Sequence, residues 1–539
     1  MSKFARPDKK SRKTENYMGA PALTYLPKDD FIALMFSSFA EDKYYETADK
    51  SIARMKELIG RIEDKKFVAK TILYAREVFG MRSMTHAAVS ELAQVVRGEP
   101  WTKTFYCDVV NRVDDITEIL AYTTARYPTV PNSLKKGLRA AFDKFDDYQI
   151  AKYQGLGKSM NLRDAVNLLH PVPTERNERA LRALIADGHV VTDGNWKAEL
   201  VKASAVEDTK TARHTAWADL VKSRKIGYFA LLRNLRNIVQ DAPDVIDDAL
   251  EMLVDEQLIK SSKVFPYRYL VAYQAIEELY ANNKQVSDAY LYCKPTFSFK
   301  DDQQTPTFSR AMKDRIVAAI EQAMTTATVN NLPVAEGKTL ILIDNSGSMT
   351  GDSSGSSKLS RFSTAKMSDI GNLFGVLYWM RSEDAQIGLF GDRLIVPDLD
   401  RTRSVFENFD IVDRAKNRCG SGTETGIFTA FEALIKDRTK VDTIVIFSDS
   451  QIGDGCGWYT LGGRDARRGD AFNELCDRYR TLNPNVRIYS VDLRGYGTTV
   501  FDDNVVKLSG FSPNLFEVMA MLDQNTDTLV ELIDAYRDY

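Results

Sequence analysis

A multidomain chain, with an all-α helical-repeat part followed by a doubly wound, Rossmann-like α/β domain, is the architecture predicted by three features of this 539-residue sequence. Apolar residues before about position 330 recur at helical spacing in one short segment after another. No strong strand signal appears before about residue 336. Beyond it, continuous apolar runs empty into polar loops, as buried strands of a parallel sheet do. These features divide the chain into a basic flexible tail (1–19), a helical part (20–335) and an α/β part (336–539).

The helical part is justified segment by segment. In Ile226 to Ile238, Tyr228, Leu231, Leu232 and Leu235 fall at i, i+3, i+4 and i+7. Asp244 to Asp255 and Tyr269 to Tyr280 keep the same period, as do Asn132 to Phe145 and Thr174 to Ile185. Short amphipathic helices that cannot bury their apolar faces alone stack as paired repeats, so an α-solenoid is expected.

The α/β part opens on Lys338-Thr-Leu-Ile-Leu-Ile-Asp344-Asn-Ser346-Gly-Ser348, an apolar strand delivering a D-x-S-x-S loop. A second such strand, Asp442 to Phe447, leads to Asp449, and the glycine-rich Gly420 to Gly426 carries Thr423. If the sheet is doubly wound, these three loops converge. Asp344, Ser346, Ser348, Thr423 and Asp449 then offer only hard oxygen ligands, which suit Mg2+ or Mn2+ far better than Zn2+ or Cu2+.

Composition bounds the function. Hydrophobic content of 44% and charged content of 27% are ordinary for a globular protein. No apolar run approaches a membrane span and the N-terminus lacks a secretory signal, so no membrane partner and a cytoplasmic location are expected. Five scattered cysteines without C-x-x-C pairs fit a reducing compartment. Net charge is uneven: residues 1–330 carry 49 Lys and Arg against 44 Asp and Glu, and the remainder 23 against 31. A basic first part is a mild cue for a polyanion.

Basic residues share helical faces. Lys135, Lys136 and Arg139 cluster, close in sequence to Lys152, Lys158, Arg163 and His170. Lys222, Lys225, Arg233 and Arg236 fall within an arc of roughly 80° if one helix runs through Gly227. Each stripe is either a phosphate-binding face or a solvated helix surface. His170, before Pro171, is either a nucleic-acid contact or a helix cap. The four histidines form no zincin or triad pattern and there is no Walker A loop, so a binder rather than an enzyme is expected.

The D-x-S-x-S loop, the threonine loop and the strand-end Asp449 together resemble the metal-ion-dependent adhesion site (MIDAS) of von Willebrand factor A domains. The resemblance implies direct ligation by the first-loop hydroxyls, action of Asp449 through water, and an open position for a partner's acidic group. Other strings extend the likeness: Ser37-Ser-Phe-Ala-Glu-Asp-Lys-Tyr44-Tyr45, Lys136-Gly-Leu-Arg139, Lys152-Tyr153, Leu168-Leu-His170-Pro171, Ala230-Leu-Leu-Arg233-Asn234-Leu235 and Phe265-Pro266-Tyr267. With these the chain resembles the Ro autoantigen family, a TROVE helical module followed by an A domain. That resemblance implies a monomeric ring of HEAT-like repeats closed by the A domain. It implies binding of small structured Y-like RNAs on the outer basic surface and of single-stranded 3′ ends of misfolded RNAs in the hole. Mg2+ is the metal implied first, with Mn2+ or Ca2+ as alternatives, and an exoribonuclease is an implied partner in RNA turnover. The Y RNA role carries to Lys136, Arg139, Lys152 and His170, and less directly to Lys158 and Arg163. Loops 350–357 and 453–469 depart from the family pattern. Two competing readings are an adaptor subunit of an ATPase or chelatase complex and a protein-binding scaffold.

Overall fold

The computed structural model describes residues 12–190, 200, 208–262, 264, 266–292, 308–329, 336–351, 357–359, 365–423, 425–453, 471–512, 514–524 and 528–539. The variable parts of both departing loops, with Trp458, Arg467 and Arg468, lie outside them. The chain forms two compact units: residues 1–190 together with 332–539, and residues 191–331. The division at 331/332 lies close to the sequence boundary at 335/336, but the helical part itself divides at 190/191, because the first helices belong to the same body as the sheet.

In the first unit, strands β1 (Lys13–Glu15) and β2 (Pro21–Thr24) pair antiparallel, and β2 pairs with β8 (Thr498–Thr499). This corrects the expectation of a flexible tail through residue 19 and of no strand before 336. Strands of three and four residues are too short to show a period, and their anchors are distant in sequence. Arg12 is buried and pairs with Asp503 at 2.7 Å, while Asn16 Nδ2 donates to the Ile452 carbonyl at 2.7 Å.

The larger sheet has the order β5-β4-β3-β6-β7-β9, from Leu394–Ile395, Asp384–Phe390, Lys338–Asp344, Thr443–Ser448, Arg487–Asp492 and Val506–Ser509. All neighbours run parallel except the edge pair β4 and β5. Helices cover both faces, as continuous apolar strands require. Leu340, Leu342, Ile444 and Ile446 share a core with Phe431 and Tyr479 of helices Gly426–Lys436 and Ala471–Leu482. On the opposite face Ile343 meets Gly375, and Phe447 meets Phe374, both from helix Met367–Arg381.

Helices from Pro27–Ser37 through Glu178–Ala186 complete this unit. The first of them lies against the ends of the sheet because two glycines at positive φ let the backbone pass. A Cβ on Gly495 would stand 2.7 Å from the Ala33 carbonyl oxygen, and one on Gly510 2.7 Å from that of Phe36. The described part of the second unit is helical, from Thr209–Lys222 to Arg310–Val329. Its core follows the predicted stripe: Tyr228, Leu231, Leu232 and Leu235 are buried, and Tyr228 Oη donates to the Leu253 carbonyl at 2.8 Å. Among the described residues no helix is long and apolar enough to cross a membrane, and Cys107, Cys419 and Cys476 are free.

Candidate functional site

Parallel pairing of β3 with β6 sets Ile343 opposite Phe447, so Asp344 and Asp449 emerge at neighbouring strand ends. Asp344, Ser346, Ser348, Thr423 and Asp449 are all buried and gathered there. Ser346 N–H donates to Asp344 Oδ1 at 2.9 Å, and Ser448 Oγ donates to Asp344 Oδ2 at 2.7 Å. The Ser346 and Ser348 hydroxyls are 3.3 Å apart. Gly347 N–H reaches the Ser421 carbonyl at 2.8 Å and ties the glycine-rich loop to this turn. Thr423 Oγ1 accepts from Gly453 N–H at 2.9 Å and donates to the Gln451 carbonyl at 3.2 Å, which joins the third loop.

The electrostatics are unfinished. Burial pushes the Asp344 carboxyl up to about 7, Asp449 adds to the rise, and the Ser346 and Ser448 hydroxyls only partly offset it. Burial also raises Asp449, against the pull of the nearby Ser348 hydroxyl, the Gln451 amide and Arg494. Asp449 Oδ2 is buried and accepts no hydrogen bond among the described residues. Two buried carboxylates that enter no ion pair among the described residues are costly when both are charged. Among those residues no group of three or more His, Cys, Asp and Glu converges, so a cation held here would depend on the hydroxyls. Two carboxylates and three hydroxyls, with an orphaned carboxylate oxygen, fit a hard divalent ion.

Sequence reasoning missed what surrounds this cluster. The Tyr45 hydroxyl lies beside Ser348, and burial together with the Asp449 and Asp344 charges raises its pKa well above normal. Its ring stacks on Tyr17 at 5.1 Å and meets Tyr496 edge-on at 5.5 Å. Lys43, pushed down to about 8 by burial, pairs with Glu46 at 3.2 Å and donates to the Arg494 carbonyl at 2.8 Å. Asp492, at the end of β7, accepts from the Arg494 and Gly495 amides at 2.9 and 2.7 Å, and burial lifts it to about 6. Roughly 300 to 450 residues of chain separate Tyr45 from Ser348 and Tyr496, and Lys43 from Arg494, and no spacing rule links them.

The basic residues divide by unit. In the first, Lys136 and Arg139 are exposed and Lys135 half-buried on helix Asn132–Ala141, opposite buried Leu134 and Leu138. Lys152 lies over the Tyr153 ring at 5.3 Å, and Lys158 is tied to Glu118 at 2.6 Å. Arg163 and His170 lie seven residues apart, on one face of helix Leu162–Leu169 and its cap. His170 caps by its backbone, with φ +49° and its N–H on the Val166 carbonyl, which leaves the ring exposed. In the second unit the expected continuous arc is corrected. Helix Thr209–Lys222 stops, Arg224 takes φ +53°, Lys225 N–H bonds back to the Leu220 carbonyl, and Gly227 is the N-cap of helix Tyr228–Asp241. Lys222 and Lys225 are thus uncoupled from Arg233 and Arg236, and Arg236 is engaged by Glu278 at 3.8 Å.

The TROVE domain profile matches residues 38–198 and 205–337, more than half of the chain. The chain belongs to the TROVE domain family. The crystal structure of the Deinococcus radiodurans Ro (RSR) protein matches with a TM-score of 0.54 over 91% of this chain and 99% of that one, at 16% identity. That match shows a shared fold: helices first, then a mixed α/β sheet. Telomerase protein component 1 of Mus musculus is 20% identical over 40% of this TROVE chain, which spans only 11% of that relative's length.

Proposed function

We propose that this TROVE protein binds RNA as Ro proteins are understood to do. Small structured Y-like noncoding RNAs would lie on the basic helical surface around Lys136 and Arg139. Single-stranded 3′ ends of misfolded RNAs would enter a hole enclosed by the helices, in RNA quality control or turnover with an exoribonuclease as partner. Family membership supports RNA as the ligand, and one observation carries the surface. Lys136 and Arg139 are exposed on adjacent turns and make no ion pair among the described residues, so their charge is available to phosphates. The hole and the 3′-end specificity rest on the Ro resemblance. Purified full-length protein should carry small RNA, and Lys136→Ala with Arg139→Ala should weaken its rebinding in a salt-dependent way. Unchanged affinity would remove this surface from the proposal.

The α/β region is read as a von Willebrand A-type domain in which Asp344, Ser346, Ser348, Thr423 and Asp449 would hold Mg2+, or Mn2+ or Ca2+ in its place. The orphaned Asp449 oxygen and the raised Asp344 support that reading. Bound there, the ion would supply a positive centre for a partner's carboxylate. The chain's own residues do the rest: Ser448 and the Ser346 amide orient Asp344, and the Gln451 amide orients Asp449.

A further inference from the structure

Helix Asn132–Ala141 crosses helix Thr102–Asp108 at very short range. The crossing requires glycine at 137, where a Cβ would stand 2.4 Å from Cβ of Tyr106 and 2.9 Å from the Lys103 carbonyl oxygen. It sets Lys103 and Lys136 on the wall of one cavity of about 660 Å³, which Gln94 in the last turn of helix Ser83–Val95 and Arg97 and Glu99 just beyond it complete.

Arg97, Lys103 and Lys136 face a single carboxylate, Glu99, and none of the three enters an ion pair among the described residues. A concave wall of net positive charge concentrates field on whatever fills it. Two further features offer donors. Gln94 Nε2 is buried without a hydrogen-bond partner. Helix Asn132–Ala141 begins with no side-chain cap, so its first amides, from residues that line the cavity, have no helical acceptor. The lining holds no aromatic ring on which a base could stack.

We propose that this cavity holds one nucleotide of the bound RNA by its phosphate and sugar, with Arg97 and Lys103 on the phosphate and no discrimination among bases. The inference rests on the RNA-binding reading and adds two phosphate-binding residues to it. Arg97 and Lys103 are exposed side chains, so their replacement leaves the core intact.

The test is fluorescence anisotropy on the full-length chain with single-stranded homopolymers of A, C and U, between roughly 50 and 200 mM salt. Arg97→Gln with Lys103→Gln should weaken binding by about ten-fold at the lower salt. It should also flatten the logarithmic salt slope by about 0.7 for each phosphate no longer neutralised, equally for all three polymers. Unchanged affinity and slope, while Lys136→Ala with Arg139→Ala still weakens rebinding of the small structured RNA, would overturn the cavity and leave the surface reading standing. No effect of Arg97→Gln with Lys103→Gln on the homopolymers, together with no effect of Lys136→Ala with Arg139→Ala on rebinding of the small RNA, would overturn both. A loss confined to one polymer would overturn the base-blind assignment.

Discussion

Asp115 and Asp449 are both fully buried carboxylates in the same compact unit, and their surroundings are opposite. Asp115 is met by Arg76 and Arg82 at 2.7 Å each, by His86 at 2.9 Å, and by the Asn111 and Arg112 amides. Burial alone would raise its pKa, but His86, Arg76 and Arg82 overcome that and hold it far below the ordinary carboxylate range. Asp449 has hydroxyls, an amide and a second buried carboxylate as neighbours, and it is raised. One site is electrostatically complete and joins helices. The other feels Arg494 but enters no ion pair among the described residues, which is the condition a cation would satisfy.

The strongest way to break this comparison is Asp115→Asn. It strips a buried arginine of its counter-charge and should cost about 3–5 kcal/mol in a urea titration at neutral pH. The native contribution has a defined sign. Because the folded pKa lies below the unfolded value of about 3.9, the stabilisation is fully present above roughly pH 5 and is lost as pH falls through the carboxylate range. The variant should therefore show a flatter acid limb, and an unaltered limb would mean that Asp115 is not the group responsible.

Asp344→Asn tests the other half. Saturating Mg2+ at about 100 times its Kd should stabilise the parent by about 2.7 kcal/mol and the variant not at all, as read by Tm. Without metal the variant should be at least as stable as the parent, since one of two like charges is gone. A marked loss of metal-free stability would make Asp344 a structural residue like Asp115.

The smallest effect belongs to Tyr45→Phe. Removing the hydroxyl beside Ser348, which donates to Met18 Sδ at 3.2 Å, forfeits one hydrogen bond worth about 1 kcal/mol outside the ligand set, so calorimetric Mg2+ affinity should stay within about five-fold of the parent. Binding weakened beyond that would show instead that Tyr45 supports the site.

These outcomes separate what was legible in the chain from what was not. Asp344, Ser346 and Ser348 could be read because a strand and the loop it delivers are contiguous. That Thr423 and Asp449 gather beside them followed from the rule that loops at the carboxyl ends of parallel strands converge. The break at Ser223 to Gly227 reads in sequence as continuous helix, because a left-handed Arg224 carries none of the usual glycine signal at the turn. β1 and β2 escape notice because their pairing partners lie elsewhere in the chain.

By itself the sequence determined a helical part, an α/β part, a D-x-S-x-S turn at a strand end and a helix bearing Lys136 and Arg139. Each of these depends on residues a few positions apart, where helical period and strand-end position govern geometry. Tertiary structure alone decided that Tyr45 stands beside Ser348, that Asp115 is neutralised while Asp449 is not, and that Gly137 brings Lys103 onto the wall it shares with Lys136. Those arrangements depend on which distant surfaces exclude water together, and local spacing holds no record of that.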